Sequence, residues 1–267
     1  MGILEERFDL SGQAAIITGA GTGLGQQMAL ALADAGCDIV GAGRRTEPLE
    51  ETGAQVRARG RRYLACTGTD ATDSAQVNAM VERAIAEMGR ITVLINNAGG
   101  GTAGRGKSLP ELTDEDWHSG IDTNLSSAFY CSRAVVPHML ERGGGRIINI
   151  TSGWGFRGGR NNFMYSIAKG GVIQLTKALA MTYARDQIRS TCIAPGLFPH
   201  TSDPEQLAQI GERQPAGRPG WMWEVGALAV FLASPGADYL SGETILIDGG
   251  AIAAGLTPAG LVPVAEG

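Results

Sequence analysis

With 267 residues and 43% hydrophobic content, the chain is long enough to bury a large core. A net charge of −5 with no basic block argues against a nucleic-acid partner, and no apolar run approaches the roughly 18 residues that a membrane span needs. In chain order, apolar runs of strand length fall at 14–18, 37–42, 62–66, 91–95, 146–151, 188–193 and 243–247. Helical patterns lie between them, among them 26–35, 46–59, 73–88, 114–141 and 163–184. Strand alternating with helix over short polar links predicts an α/β fold, a doubly wound parallel sheet of Rossmann type with helices on both faces. Neither a linker nor a repeat divides the chain, so one domain over 1–267 is expected. The first dozen residues carry Glu5, Glu6 and Asp9 and no apolar stretch, so no signal peptide is expected and the chain reads as cytoplasmic. Cys37, Cys66, Cys131 and Cys192 are far apart, the pattern of buried reduced thiols and not of a disulfide framework or a metal site.

Two local patterns carry chemistry. The first strand runs into T-G-x-x-x-G-x-G, with Thr18, Gly19, Gly23 and Gly25, and then into a helix. The G-x-G-x-x-G dinucleotide fingerprint does not fit, because its last position falls on Leu24 or Gln26. A strand, a glycine-dense turn and a helix N-terminus still make an anion site suited to a nucleotide pyrophosphate, with Thr22 and Leu24 in the turn. The second pattern is Tyr165 and Lys169, which share one helix face at a spacing of four. A lysine there is expected to favour the phenolate and bring the tyrosine toward a neutral pKa. Ser152 follows the run 146–151 and would place a hydroxyl at a strand end facing that tyrosine. Gly19, Gly43, Asp70, Asn96, Ser152 and Pro195 all follow strand C-termini, where open α/β sheets bind their ligands.

Together with Asp70, Asn96-Asn97-Ala98-Gly99, Asn124, Pro195-Gly196 and Ile247-Asp248-Gly249-Gly250, these residues resemble the short-chain dehydrogenases/reductases, in family order and spacing over nearly the whole chain. The resemblance implies a nicotinamide-dependent oxidoreductase that interconverts a secondary alcohol and a ketone. It implies Tyr165 as proton donor, Ser152 as hydrogen-bond donor to the same oxygen, Lys169 also holding the nicotinamide ribose, and Asn124 positioning a water that links Lys169 to solvent. For Asn124, a helix-kink role is compatible with this. Asp70, with Ala71 beside it, resembles the residue that bonds the adenine amino group. Asn97, Ala98 and Gly99 resemble the segment lining the adenosine side. Pro195, Gly196 and Phe198 complete the implied cofactor contacts. Where relatives that prefer NAD(H) end the second strand on an acidic residue, this chain has Gly43 followed by Arg44 and Arg45, which favours NADP(H) with NAD(H) possible. Against this, Thr22 stands where many NADP-binding relatives have a basic residue. The family's usual homotetramer is also implied, built on the helices around 114–141 and 163–184.

For the substrate, Trp154, Phe156, Arg157, Arg160, Asn161, Asn162, Phe163 and Met164 lie between Ser152 and Tyr165. Trp154 and Asn162 are expected to line the pocket, and Arg157 and Arg160 offer charge to a carboxylate or phosphate. Segments 38–42, 156–159 and 215–218 look most like reductases of sugar-acid ketones, of the ketogluconate and deoxy-ketouronate kind. A 3-oxoacyl thioester reductase is the alternative, a cyclic-ketone reductase follows, and a dinucleotide sensor without turnover is the remote one. A glycine-rich loop after Gly99 is expected to be mobile, and residues 197–220 to form a short lid. His200, near the place of a family threonine that contacts the carboxamide, would then face substrate. His118 and His138 receive no chemistry. The apolar tail 251–267 is expected to bury itself against a neighbouring subunit.

Overall fold

The computed structural model describes residues 2–100, 103–212 and 214–253. Seven strands form one sheet: β1 (Ala14–Thr18), β2 (Asp38–Gly43), β3 (Tyr63–Thr67), β4 (Val93–Asn96), β5 (Gly145–Ile150), β6 (Ile188–Pro195) and β7 (Thr244–Ile247). Their order is β3-β2-β1-β4-β5-β6-β7, and every neighbouring pair is parallel. The order reverses between β1 and β4, where such sheets open a crevice at their carboxyl ends.

All five residues of β1 are buried, because helices cover both faces of the sheet. Side-chain alternation divides the strand between two cores. Ala15 and Ile17 join one with Met28 and Leu32 of α2 (Gly23–Asp34) and Val225 and Leu232 of α9 (Met222–Ala233). Ala14 and Ile16 join the other with Val77 and Val81 of α4 (Ser74–Met88) and Cys131 and Val135 of α6 (Ser127–Glu141). Burial of each such isoleucine or leucine contributes roughly 1.5–3 kcal/mol. The remaining helices are α1 (Ile3–Phe8), α3 (Thr46–Ala58), α5 (Asp114–Ile121), α7 (Phe163–Tyr183) and α8 (Pro204–Gly211).

The helix expected over 114–141 is not continuous. Its residues Asp122–Ser126 form one π turn between α5 and α6, and Asn124 sits inside it. A wider turn leaves a backbone carbonyl needing a partner, and the Asn124 amide supplies one by donating to Gly120 O at 3.1 Å. All four cysteines are free and buried. No helix among the described residues is long and apolar enough to cross a membrane, and no group of three or more His, Cys, Asp or Glu there could hold a metal ion. The tail beyond residue 253 lies outside the described residues.

Candidate active site

Long-range hydrogen bonds set the register of the reacting cluster. Thr151, at the end of β5, donates from its hydroxyl to the Lys169 carbonyl at 2.6 Å, which fixes Ser152 against α7. Ser152 Oγ accepts the Trp154 amide at 3.3 Å and lies close enough to the Tyr165 phenol to lower its pKa. Lys169 is buried, donates from Nζ to Ile150 O at 3.0 Å, and lies 5.6 Å from the centre of the Tyr165 ring.

Asn124 reaches the same place from the other side. It exchanges two hydrogen bonds with Gly100, accepting the amide at 2.9 Å and donating to the carbonyl at 2.8 Å. A Cβ placed on Gly99 would stand 3.1 Å from both Asn124 Oδ1 and Lys169 Nζ, so these two groups converge on one point. The structure thus gathers Asn124, Ser152, Tyr165 and Lys169 from a π turn, a strand end and one helix face.

The electrostatics differ from the sequence expectation. Burial holds the Tyr165 phenol above its ordinary value, opposed by the Ser152 hydrogen bond and the Arg105 charge. The Lys169 ammonium is directed at the Ile150 carbonyl, and burial outweighs the influences that lower the phenol. Burial instead pushes Lys169 down to about 8, with the nearby Cys192 acting in the opposite direction.

Beside this cluster lies a cavity of about 980 Å³ at the point where strand order reverses. Its walls include Gly19 and Thr22, Arg44 and Arg45, Asp70 and Ala71, and Asn97, Ala98 and Gly99. Thr18 ties the wall together by accepting the amides of Asn97 and Ala98 at 3.0 and 2.9 Å. The turn fits a dinucleotide pyrophosphate: Gly23 adopts φ +57, and a Cβ on Gly25 would stand 2.5 Å from the side-chain Nδ2 of Asn97. No side chain caps the N-terminus of α2, which leaves its first N–H groups for an anion. Leu24 is not on the cavity wall, its side chain being packed against the core. Arg45 donates to Thr22 Oγ1 at 3.4 Å, linking the end of β2 to the glycine turn. Asp70 is held below the usual carboxylate range by hydrogen bonds from the Thr72 amide and hydroxyl, while Asp73 caps α4.

Two expected contacts lie elsewhere. His200 does not face the Ser152–Tyr165 pair, because its ring rests on Gly23, with Cε1 2.7 Å from the place of a Cβ there. It therefore lies at the glycine turn. Phe198 turns away from the large cavity and packs on Gly220, lining a separate cavity of about 90 Å³ with Arg218 and Glu224. Pro195 ends β6, and the Gly196 amide bonds Ile247 O at 2.9 Å. Trp154 packs beside Gly159 and under Arg157, whose guanidinium lies 4.4 Å from the ring centre. Asn162 packs beside Gly159 as the residue before α7.

Arg105 escaped the sequence reading. It is exposed on a turn beside Met164, the neighbour of Tyr165, and among the described residues it has no carboxylate partner. The only sequence signal was a lone arginine flanked by Gly104 and Gly106.

Comparison with known proteins agrees with this geometry. Residues 13–208 match the family model described as short chain dehydrogenase. The chain is 42% identical over 254 residues to the 2-dehydro-3-deoxy-D-gluconate 5-dehydrogenase of Escherichia coli (strain K12), covering 92% of this chain and 98% of that protein. It is 35% identical over 251 residues to the 3-oxoacyl-(acyl-carrier-protein) reductase of the same organism, covering 91% and 98%. A gluconate 5-dehydrogenase from Burkholderia cenocepacia J2315, solved in complex with NADP and tartrate, superposes with a TM-score of 0.83 at 35% identity, covering 92% of this chain and 97% of that one. The chain belongs to the short chain dehydrogenase family, oxidoreductases that act on CH–OH groups with NAD(P) as acceptor.

Proposed function

We propose that this protein interconverts a ketone and a secondary alcohol on a small sugar acid, using NADP(H) in preference to NAD(H). The observation that supports the substrate class is Arg105, which sits on an exposed turn whose Gly104 packs against Met164, the neighbour of Tyr165, and which has no carboxylate partner among the described residues. A carboxylate a few atoms from the ketone would meet it in charge-assisted hydrogen bonds. The kinship with a deoxy-gluconate dehydrogenase supports the same reading.

The residues divide the work by charge. In reduction, the Tyr165 phenol is protonated and donates to the ketone oxygen. Ser152 already accepts the Trp154 amide, which leaves its own proton to stabilise the charge growing on that oxygen. Lys169 and Asn124 hold the cofactor side and keep the ammonium in place. The hydride is what a nicotinamide dinucleotide supplies when bound.

Arg44 and Arg45 on the cavity wall, with no acidic side chain at Gly43, support a preference for a 2′-phosphate. Residues 197–220 serve as the lid of a single-domain enzyme. A homotetramer is supported by exposed Phe129 and Met181 on α6 and α7, and a cytoplasmic setting by the free thiols.

A panel of sugar-acid ketones, 3-oxoacyl thioesters and cyclic ketones, run with both cofactors and followed by nicotinamide absorbance, tests the reading. The highest kcat/KM should fall on a sugar-acid ketone with NADPH. An acyl thioester at the top would transfer the assignment to the thioester reductases, and tight NADPH binding with no turnover anywhere would indicate a sensor.

A further inference from the structure

The loop after Gly99 was expected to be loose, but over 103–107 it is anchored. The Lys107 amide donates to Gly104 O at 3.2 Å, closing a four-residue turn with Arg105 and Gly106 at its centre. Gly106 has φ +89, the value that the third position of a type II turn requires. Lys107 pairs with Asp116 at 2.7 Å, and Gly104 is wedged against Leu112 and Met164, the neighbour of Tyr165.

The decisive contact comes from the segment between Ser152 and Tyr165. The Gly106 amide donates to Asn161 O at 2.8 Å, and Asn161 Nδ2 donates to Gly106 O at 3.1 Å. Asn161 itself adopts φ +53, a left-handed conformation that asparagine tolerates better than most residues. One residue thus binds both backbone groups of the glycine next to Arg105.

We infer that Asn161 is a positioning residue for substrate: it fastens the 104–107 turn to the wall of the cleft and thereby sets where the Arg105 guanidinium stands relative to the Tyr165 phenol. The inference rests on the reading of Arg105 as the carboxylate contact. An arginine on a free loop must be ordered when substrate binds, and that entropy opposes binding. With the turn already held, the ordering is complete before substrate arrives. Asn161 therefore acts on anionic substrates and leaves neutral ketones untouched.

The test compares wild type, Arg105→Ala, Asn161→Ala and the double variant on 5-keto-D-gluconate and on neutral cyclohexanone, beside hydrogen exchange at the Gly106 amide. Asn161→Ala should raise KM for the acid about tenfold, the scale of one or two lost hydrogen bonds, with kcat and the neutral ketone within about twofold. The double variant should lose little beyond Arg105→Ala alone, and Asn161→Gly, which keeps the left-handed backbone, should fall between. Arg105→Ala treating both ketones alike would overturn the carboxylate reading. A selective Arg105→Ala beside an Asn161→Ala that matches wild type would overturn the positioning role alone. The exchange result stands without turnover: Asn161→Ala keeps the carbonyl that accepts the Gly106 amide and removes the Nδ2 bond, so protection at Gly106 that this variant weakens supports the anchor, while unchanged protection in the variant or fast exchange in wild type removes it.

Discussion

Lys169 lies 5.6 Å from the centre of the Tyr165 ring and gives a hydrogen bond to the Ile150 carbonyl, so the ammonium and the phenol meet face-on and not oxygen to nitrogen. Burial keeps the phenol protonated and brings the lysine to about 8. Ketone reduction should therefore hold steady below about pH 8 and decline above it as the ammonium is lost. Alcohol oxidation, which needs the phenolate as base, should climb with pH. Profiles of kcat in both directions check this, and a reduction rate that rises through that range would contradict it.

Tyr165→Phe removes the hydroxyl proposed to donate the proton and leaves the ring. Turnover should drop at least ~10²-fold, the low end for a positioned acid. The NADPH dissociation constant should stay within about twofold, and titration of cofactor fluorescence separates the two effects. Retained turnover would take the acid role away from this residue.

Arg44 and Arg45 line the cavity at the end of β2, where a 2′-phosphate would lie. Replacing both with alanine should weaken NADPH by about tenfold or more, the value of one charge-assisted hydrogen bond, while NADH changes little. Equal losses for the two cofactors would mean that the pair does not read the phosphate.

His200 rests on Gly23 at the start of α2, beside the uncapped helix N-terminus. His200→Ala should weaken cofactor binding by about threefold to tenfold and leave substrate KM nearly unchanged at saturating cofactor, since one imidazole hydrogen bond to a phosphate is at stake. The reverse pattern would return His200 to the substrate side.

His138 on α6 accepts the Ile91 amide at 3.1 Å from a buried position, and burial holds the imidazole below its ordinary value. The folded state thus favours the neutral ring. Its contribution is fully present above the unfolded pKa of roughly 6.5 and is lost as pH falls through the lower folded value. Urea unfolding at neutral pH and near pH 5 should show wild type losing more stability than His138→Gln. A matching loss in both proteins would clear this histidine.

Much of the architecture was legible as spacing. Each of the seven predicted strands lies within one or two residues of its observed bounds, because buried parallel strands read as short apolar runs between turn residues. The π turn inside 114–141 was not legible, because its apolar pattern runs on unbroken and only the need to pair Gly120 O marks it.

What the sequence determined by itself was local: the elements, the glycine turn, and Tyr165 and Lys169 on one helix face. Such features follow from backbone period and from residue shape within a few positions. The tertiary structure decided that His200 lies on Gly23, that Asn161 holds the Gly106 backbone, and that burial raises the Tyr165 phenol. Each of these depends on contacts between distant segments and on the loss of water around a buried group, and neither is written in the spacing of neighbours along the chain.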